Sequence, residues 1–403
     1  MAFENVPLRE YFCLRDRESF SIDPWRDSKV YFGDQQLAER ITRRIESDFV
    51  QPRGVPKFFI TGSFGSGKTH TLAHIQFQLT TKFGEMYPTE PIYLDIAPLT
   101  SRERYERIHG RLMDAIGLNR ARLAVESVAD AMSEVDKVEG FLQSGVLPFG
   151  DEALRSSQAN VFRNLLFGGR QMQLSWEWMR GRKTTVDEAQ MLGTQKHLAE
   201  PQDFVNCLLN LGALHVKGTG KRIVFLVDEA EAIRRVTNPD SQAELIHAVR
   251  ILLENTNSFI GFVFAIQAEA GMEDIGEFFE APDIMRRVDF AQGYIDLNGL
   301  VLRVEDVEDF IRQTLAYLVD QRKAEGIIAA ESLDTSADLF PFTNDGLKSI
   351  STHISDNPSR ALPAAIISWM SNAAIEAWRR RLDLDRHQLV EESIVEETIF
   401  PEG

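Results

Sequence analysis

Cysteine is nearly missing from this chain of 403 residues. Only Cys13 and Cys207 occur, far apart and outside any Cys-x-x-Cys pair. That shortage argues against a disulfide framework and a thiolate metal site, and it fits a reducing, cytoplasmic setting. The eight histidines are scattered, with no HExxH and no cysteine–histidine cluster, so no zinc site is expected. No G-x-S-x-G elbow, strong repeat or long low-complexity tract is present. No uncharged apolar run reaches the roughly 18–20 residues of a membrane helix, and MAFENVPLREYF lacks the layout of a signal peptide. No membrane role is expected. Basic residues are also in deficit, 44 against 61 acidic, and the net charge of −17 argues against nonspecific coating of nucleic acid. With 43% hydrophobic and 26% charged residues the composition is that of a globular chain, long enough for two or three structural units.

The strongest positive signal is FFITGSFGSGKT. A β-prone run, Phe58-Phe59-Ile60, leads into Gly62-Ser63-Phe64-Gly65-Ser66-Gly67-Lys68-Thr69, and a helical pattern follows over Thr69–Phe83. This is GxxxxGK[ST] in the strand–loop–helix context it requires. Glycines let backbone N–H groups wrap a polyphosphate, and the helix start adds a positive dipole end. Lys68 then reaches the β- and γ-phosphates of ATP, and Thr69 ligates Mg²⁺.

A partner motif lies at Lys221–Glu229, KRIVFLVDE. Five apolar residues, Ile223–Val227, predict a strand buried on both faces, as in a parallel sheet. Its C-terminal edge carries Asp228, the expected Mg²⁺-supporting carboxylate, and Glu229, the expected base for the attacking water. Alone, an Asp-Glu pair is equally what a helix start favours. The complete loop upstream supplies the catalytic reading.

Further strands are expected at Ile92–Leu94 ending at Asp95, at Phe259–Ile266 ending at Gln267, and at Tyr294–Leu297. Alternation with helices predicts a three-layer α/β domain around a parallel sheet. In this order the chain resembles the AAA+ ATPases, and the resemblance covers most of its length. It implies a P-loop NTPase fold with a nucleotide-binding domain over 1–298 and an all-helical lid over 299–403. It places the first sensor at Gln267 and the arginine finger at Arg286 or Arg287, with Arg287 preferred; such a finger acts on a neighbouring subunit's nucleotide. Otherwise the pair is simply solvated. Arg360, in NPSRAL at the start of an expected helix over Arg360–Arg381, matches the second sensor of the lid. Upstream, Val30-Tyr31-Phe32-Gly33-Asp34 resembles the turn that packs on adenine in the origin-recognition/Cdc6-like branch, so Tyr31 and Phe32 are candidates to contact the base or to be core.

Lys68 and Asp228 stand 160 positions apart, far more than one crossover needs, so a helical insertion is expected at about 116–201. Within it, Arg155–Lys183 carries a net +5, leaving −22 for the remainder, and it holds Phe162, Phe167, Trp176 and Trp178. Interleaved bases and aromatics suit DNA; they suit equally a helical subdomain with Arg–acid contacts to a neighbouring subunit. The segment Leu174–Thr185, LSWEWMRGRKTT, is locally similar to ATPases of bacterial BREX-type antiphage systems, and transposon-encoded target selectors share the core architecture. QLVEESIVEETIFPEG, after the expected lid, is too short for a winged helix, so any DNA contact is expected from the core or the insertion.

Together these readings predict an Mg-ATP-hydrolysing ATPase assembling as a ring or filament. It would act as a DNA-associated motor or switch in a defence or mobile-element system, with a separate effector or nuclease. The competing reading is a signalling ATPase whose ATP-dependent oligomer recruits an effector without DNA.

Overall fold

The computed structural model describes residues 6–32, 35–50, 54–130, 147–255, 259–268, 294–297, 304–356, 362–381 and 387–399. Along the chain run α1 (Leu8–Tyr11), α2 (Gln35–Val50), β1 (Lys57–Gly62), α3 (Lys68–Thr80), β2 (Thr89–Asp95), α4 (Tyr105–Ile116) and α5 (Leu118–Asp130). Next come α6 (Glu152–Asn164), α7 (Gly169–Met179), α8 (Val186–Leu192), α9 (Pro201–Thr219), β3 (Arg222–Asp228), a 3₁₀ turn (Ala230–Arg235), α10 (Pro239–Asn255) and β4 (Ile260–Gln267). The described elements end with β5 (Tyr294–Asp296), α11 (Val304–Leu318), α12 (Gln321–Glu331), α13 (Asn344–Asp356), α14 (Pro363–Arg380) and α15 (Glu392–Ile399).

The five strands form one parallel sheet in the order β2-β3-β4-β1-β5. Strands β1 and β3, which carry the two motifs, flank β4, so their C-terminal ends share one sheet edge. Alternation along the strands explains the burial. Phe59, Phe225, Val227, Phe262 and Phe264 join one core with α4, α9 and α10. The alternate residues, Phe58, Ile60, Val224, Leu226 and Val263, are equally buried. Over this second face Arg44 of α2 stacks its guanidinium 5.6 Å from the Phe58 ring centre. Both faces are covered, as a parallel sheet requires, which gives the three-layer α/β arrangement of P-loop NTPases.

Local signals set the helices between β2 and β3. Asp151 caps α6 by accepting from the Leu154 N–H at 2.8 Å. Thr185 and Glu188 form a capping box at α8, and Pro201 opens α9 at a position where its missing N–H costs nothing. Helix α9 packs on α5, α4, α10 and β3. His109 of α4 donates Nε2–H to the Met179 carbonyl at 2.7 Å; burial pushes its pKa down to about 4, so the ring is neutral. Both cysteines are buried free thiols, and burial raises the Cys207 thiol.

The chain divides into two compact units. One comprises Glu39–Gly62 and Leu72–Asp296, and therefore the whole sheet. The other gathers Met1–Ala38, Ser63–Thr71 and Leu297–Gly403. Its own core joins Tyr11, Phe12, Phe20 and Phe32 to apolar residues of α11, α13, α14 and α15. Trp378 Nε1 donates to the Val6 carbonyl at 3.1 Å, and Tyr11 OH accepts the Gln388 N–H. Helix α14 begins at Pro363, later than the sequence pattern's Arg360, with Leu362 as N-cap. Among the described residues no helix is long and apolar enough to cross a membrane.

Candidate functional site

In the unit that contains Ser63–Thr71, the loop turns through two glycines with left-handed backbone, Gly65 at φ +80° and Gly67 at φ +93°. Side chains are disfavoured in this region, which explains the glycines. Ser66 N–H donates to the Ser63 carbonyl at 3.3 Å, and Lys68 Nζ donates to the same carbonyl at 2.9 Å. The ammonium is thus folded over the loop rather than extended into water. Ser66 Oγ is buried and meets no hydrogen-bond partner among the described residues. An orphaned hydroxyl within a glycine-bent loop is what a phosphate oxygen would satisfy.

Support for the loop comes from the same unit. Thr71 Oγ1 donates to the Gly67 carbonyl at 3.0 Å and lies 3.2 Å from Tyr31 OH. His70 Nε2 meets the Val30 carbonyl at 2.8 Å, and the rings of Tyr31 and Phe32 lie 6.0 and 5.6 Å from the His70 ring. Tyr31 and Phe32 are buried at 7% and 9% exposure, so they serve as the wall behind the first turn of α3. The start of α14 touches the loop too: Ala364 N–H donates to the Gly65 carbonyl at 3.4 Å.

In the unit that contains the sheet, the C-terminal edge of β3 is a carboxylate site. Asp228 is 4% exposed. Tyr93 OH of β2 donates to its Oδ2 at 3.2 Å, and the Glu229 N–H donates to its Oδ1 at 2.9 Å. Burial, followed by the charge of Asp228, raises the Tyr93 phenol, so it stays a donor. Asp95, at the end of β2, pairs in register with Asp228. Glu229 is exposed and sits at φ +52°. That left-handed geometry costs a non-glycine residue about 1–3 kcal/mol and is typical of sites where strain serves a function. Its carboxyl is raised, first by desolvation and then by the charges of Asp95, Glu231 and Asp228, against the lowering effect of Arg235. A raised carboxyl is a stronger base. Gln267 ends β4 and is the in-register partner of Gly62; its backbone N–H donates to Glu231 Oε2 at 3.0 Å.

Lys68, Ser63 and Ser66 are therefore drawn together in one unit, and Asp228, Glu229 and Gln267 in the other. Arg286, Arg287 and Arg360 lie outside the described residues. Sequence reasoning missed Tyr93, Asp95 and Glu231. Tyr93 and Asp95 share one face of β2, and Glu231 stands two positions beyond Glu229 in DEAE; alternation and that spacing were the available signals. Among the described residues no three or more His, Cys, Asp or Glu side chains are arranged to hold a metal by themselves. Mg²⁺ does not need such a cage. It keeps waters and takes one or two protein oxygens beside substrate phosphates.

The basic stretch Arg155–Lys183 folds differently from its aromatic-interleaved expectation. Phe162, Trp176 and Trp178 are buried core residues, so their rings are not available to stack on bases; only Phe167, of the four, is exposed. The cause is helical spacing, which turns these rings into the same hydrophobic core that holds the sheet. Arg180 pairs with Asp114 at 2.7 Å, and Arg182 with Glu177 at 2.7 Å and Glu188 at 3.0 Å. These two arginines line a cleft of about 630 Å³ together with Arg102, Arg104, Arg107 and Arg111. Arg111 is committed to the carbonyls of Ala97 and Pro98, and Arg107 lies 3.7 Å from Glu103. Arg102 and Arg104 are exposed and make no side-chain ion pair among the described residues.

No protein-family model matches the chain, and no curated protein matches it. Among solved structures it is similar to the Aeropyrum pernix ORC1 protein in complex with DNA, at 9% identity and a TM-score of 0.47, over 92% of this chain and 65% of that one. It is also similar to the Aeropyrum pernix ORC2 protein in ADPNP-ADP complexes, at 12% identity and a TM-score of 0.46, over 93% of this chain and 71% of that one. The chain thus spans just under two thirds of the length of the first of these structures.

Proposed function

We propose that the chain is an AAA+-type ATPase that binds Mg-ATP on the Gly62–Thr69 loop and hydrolyses it with Glu229. The observation that carries this reading is the loop itself: Gly65 and Gly67 in left-handed backbone, Lys68 closed over it, and the buried Ser66 hydroxyl left without a partner. In this reading Lys68 neutralises the β- and γ-phosphates, and Thr69 and Asp228 hold Mg²⁺. The ion, when bound, supplies Lewis-acid stabilisation of phosphate charge. Tyr93 and the Glu229 N–H fix both oxygens of Asp228, so its orientation is set before any ligand arrives. Glu229 accepts the proton of the attacking water, helped by its raised carboxyl. Gln267 and Arg360 read the γ-phosphate, and Arg287 or Arg286 acts on the nucleotide of a neighbouring copy.

The finer reading is a DNA-associated switch, and the cleft supports it: six arginines outnumber its four carboxylates, Glu103, Glu106, Asp114 and Glu177, and Arg102 and Arg104 make no ion pair among the described residues. A defence or mobile-element setting belongs to the same proposal and rests only on the local Leu174–Thr185 resemblance. A signalling role without DNA is the second reading; the inward Trp176 and Trp178 and the acid-paired Arg180 and Arg182 favour it. Steady-state hydrolysis with and without duplex and single-stranded DNA separates the two. Stimulation that disappears in Arg102→Glu plus Arg104→Glu supports the switch. Slow turnover that DNA leaves unchanged supports the signalling role.

A further inference from the structure

The turn after β3 carries a second carboxylate that the proposed chemistry does not use. Glu231 is 8% exposed. Its Oε2 accepts the backbone N–H of Gln267 at 3.0 Å, and its Oε1 lies 3.9 Å from Arg235. Removing a carboxylate from water is unfavourable unless close partners replace the lost hydration. Arg235 is a weak partner, because its side chain is 60% exposed and the separation is at the limit of an ion pair. Packing alone gives no reason for a charge here. The charge does supply one strong, charge-assisted acceptor for the end of β4.

That end is a junction. Gln267 is the in-register partner of Gly62, the last residue of β1, and the Ala268 N–H donates to the Gly62 carbonyl at 3.2 Å. Glu231 itself sits two residues beyond Glu229 on the turn that continues β3. The side chain therefore ties the turn after β3 to the end of β4, whose backbone is in turn bonded to the end of β1. We infer that Glu231 is a positioning residue: by holding the Gln267 backbone it fixes the γ-phosphate sensor against the turn that carries the base Glu229. This inference rests on the ATPase reading for its kinetic consequence, but the anchoring itself does not.

The test compares Glu231→Ala and Glu231→Gln in the full chain. Small displacements of positioned groups cost about 10- to 100-fold in rate, so Glu231→Ala is expected to lower kcat by that factor. KM for ATP stays near wild type, the pattern of an interaction needed after binding. Glu231→Gln keeps an acceptor oxygen and is expected to recover most of the loss. Hydrogen exchange of the Gln267 amide, read in the nucleotide-free protein, is expected to accelerate in Glu231→Ala and to stay protected in Glu231→Gln. Wild-type kcat with wild-type Gln267 protection in Glu231→Ala overturns the inference, as does an equal loss of Gln267 protection in both variants. If Glu231→Ala fails to fold, Gln267 exchange in Glu231→Gln decides: lost protection refutes the anchor, and retained protection supports it. If the wild-type chain shows no hydrolysis, the ATPase reading fails and the exchange comparison alone decides the anchor.

Discussion

Asp27 has no exposed surface, yet it is held by four donors. Arg17 grips both carboxylate oxygens, the Asp23 N–H donates at 2.8 Å, and the Tyr317 hydroxyl donates at 3.0 Å. Burial acts to raise its pKa, but Arg17, the Asp23 N–H and Tyr317 outweigh it and hold the carboxyl below the usual range. Arg17 is correspondingly raised, chiefly by its bond to Asp27. Breaking a buried pair on one side costs about 3–5 kcal/mol. Asp27→Asn is therefore expected to lower unfolding free energy at neutral pH by that order, measured by denaturant titration. A depressed carboxylate stabilises above its unfolded pKa of about 3.9 and loses that contribution as pH falls through the lower folded value. The gap between wild type and Asp27→Asn should thus narrow below about pH 4. At the loop, Lys68→Ala removes a charged donor worth about 1.5–3 kcal/mol. ATP affinity should fall about 10-fold or more, and the rise in Tm on adding ATP should shrink accordingly.

At the scale of elements, close approach decides most. A Cβ added to Gly218 of α9 would stand 2.4 Å from the Ala124 carbonyl oxygen of α5. Alanine is the better helix former by about 1 kcal/mol, but backbone in a packed pair yields poorly. Gly218→Ala is expected to destabilise by about 1–3 kcal/mol, seen as a lower Tm, rather than to stabilise as in an exposed helix. The strand ending in Asp228 and the loop through Lys68 were legible in sequence because each is a contiguous motif whose residue types have a single physical use. The orientation of α7 was not. In LSWEWMRGR, arginines and tryptophans alternate closely enough to suit an exposed basic face or an inward aromatic one. Only the packing of Trp176 and Trp178, and the His109 bond to Met179, resolve which side faces the core. Glu231 was illegible for a related reason, since a Glu after DE-Ala reads as an ordinary solvated turn residue until its bond to Gln267 is seen.

At the scale of the molecule, the grouping of the N-terminal residues and the 63–71 loop with the C-terminal helices rests on contacts between positions hundreds of residues apart, such as Trp378 with Val6 and Tyr317 with Asp27. No local pattern encodes such pairings, nor the strand order β2-β3-β4-β1-β5, whereas the parallel direction of the strands follows from their alternation with helices. The net charge of −17 likewise conceals a cleft whose lining is net positive, six arginines against four carboxylates. If Arg287 or Arg286 acts between copies, ATP should drive the 45.7 kDa chain into larger species that ADP does not sustain, measured by light scattering. Arg287→Ala should then lower turnover by about 10³-fold while leaving ATP binding intact. The central claim is that Glu229 is the base on a Mg-ATP site built around Lys68. Steady-state hydrolysis and ATP binding measured together for wild type and Glu229→Gln test it most directly. The account predicts ATP bound as tightly as in wild type with turnover reduced at least about 100-fold; normal turnover in Glu229→Gln would contradict it.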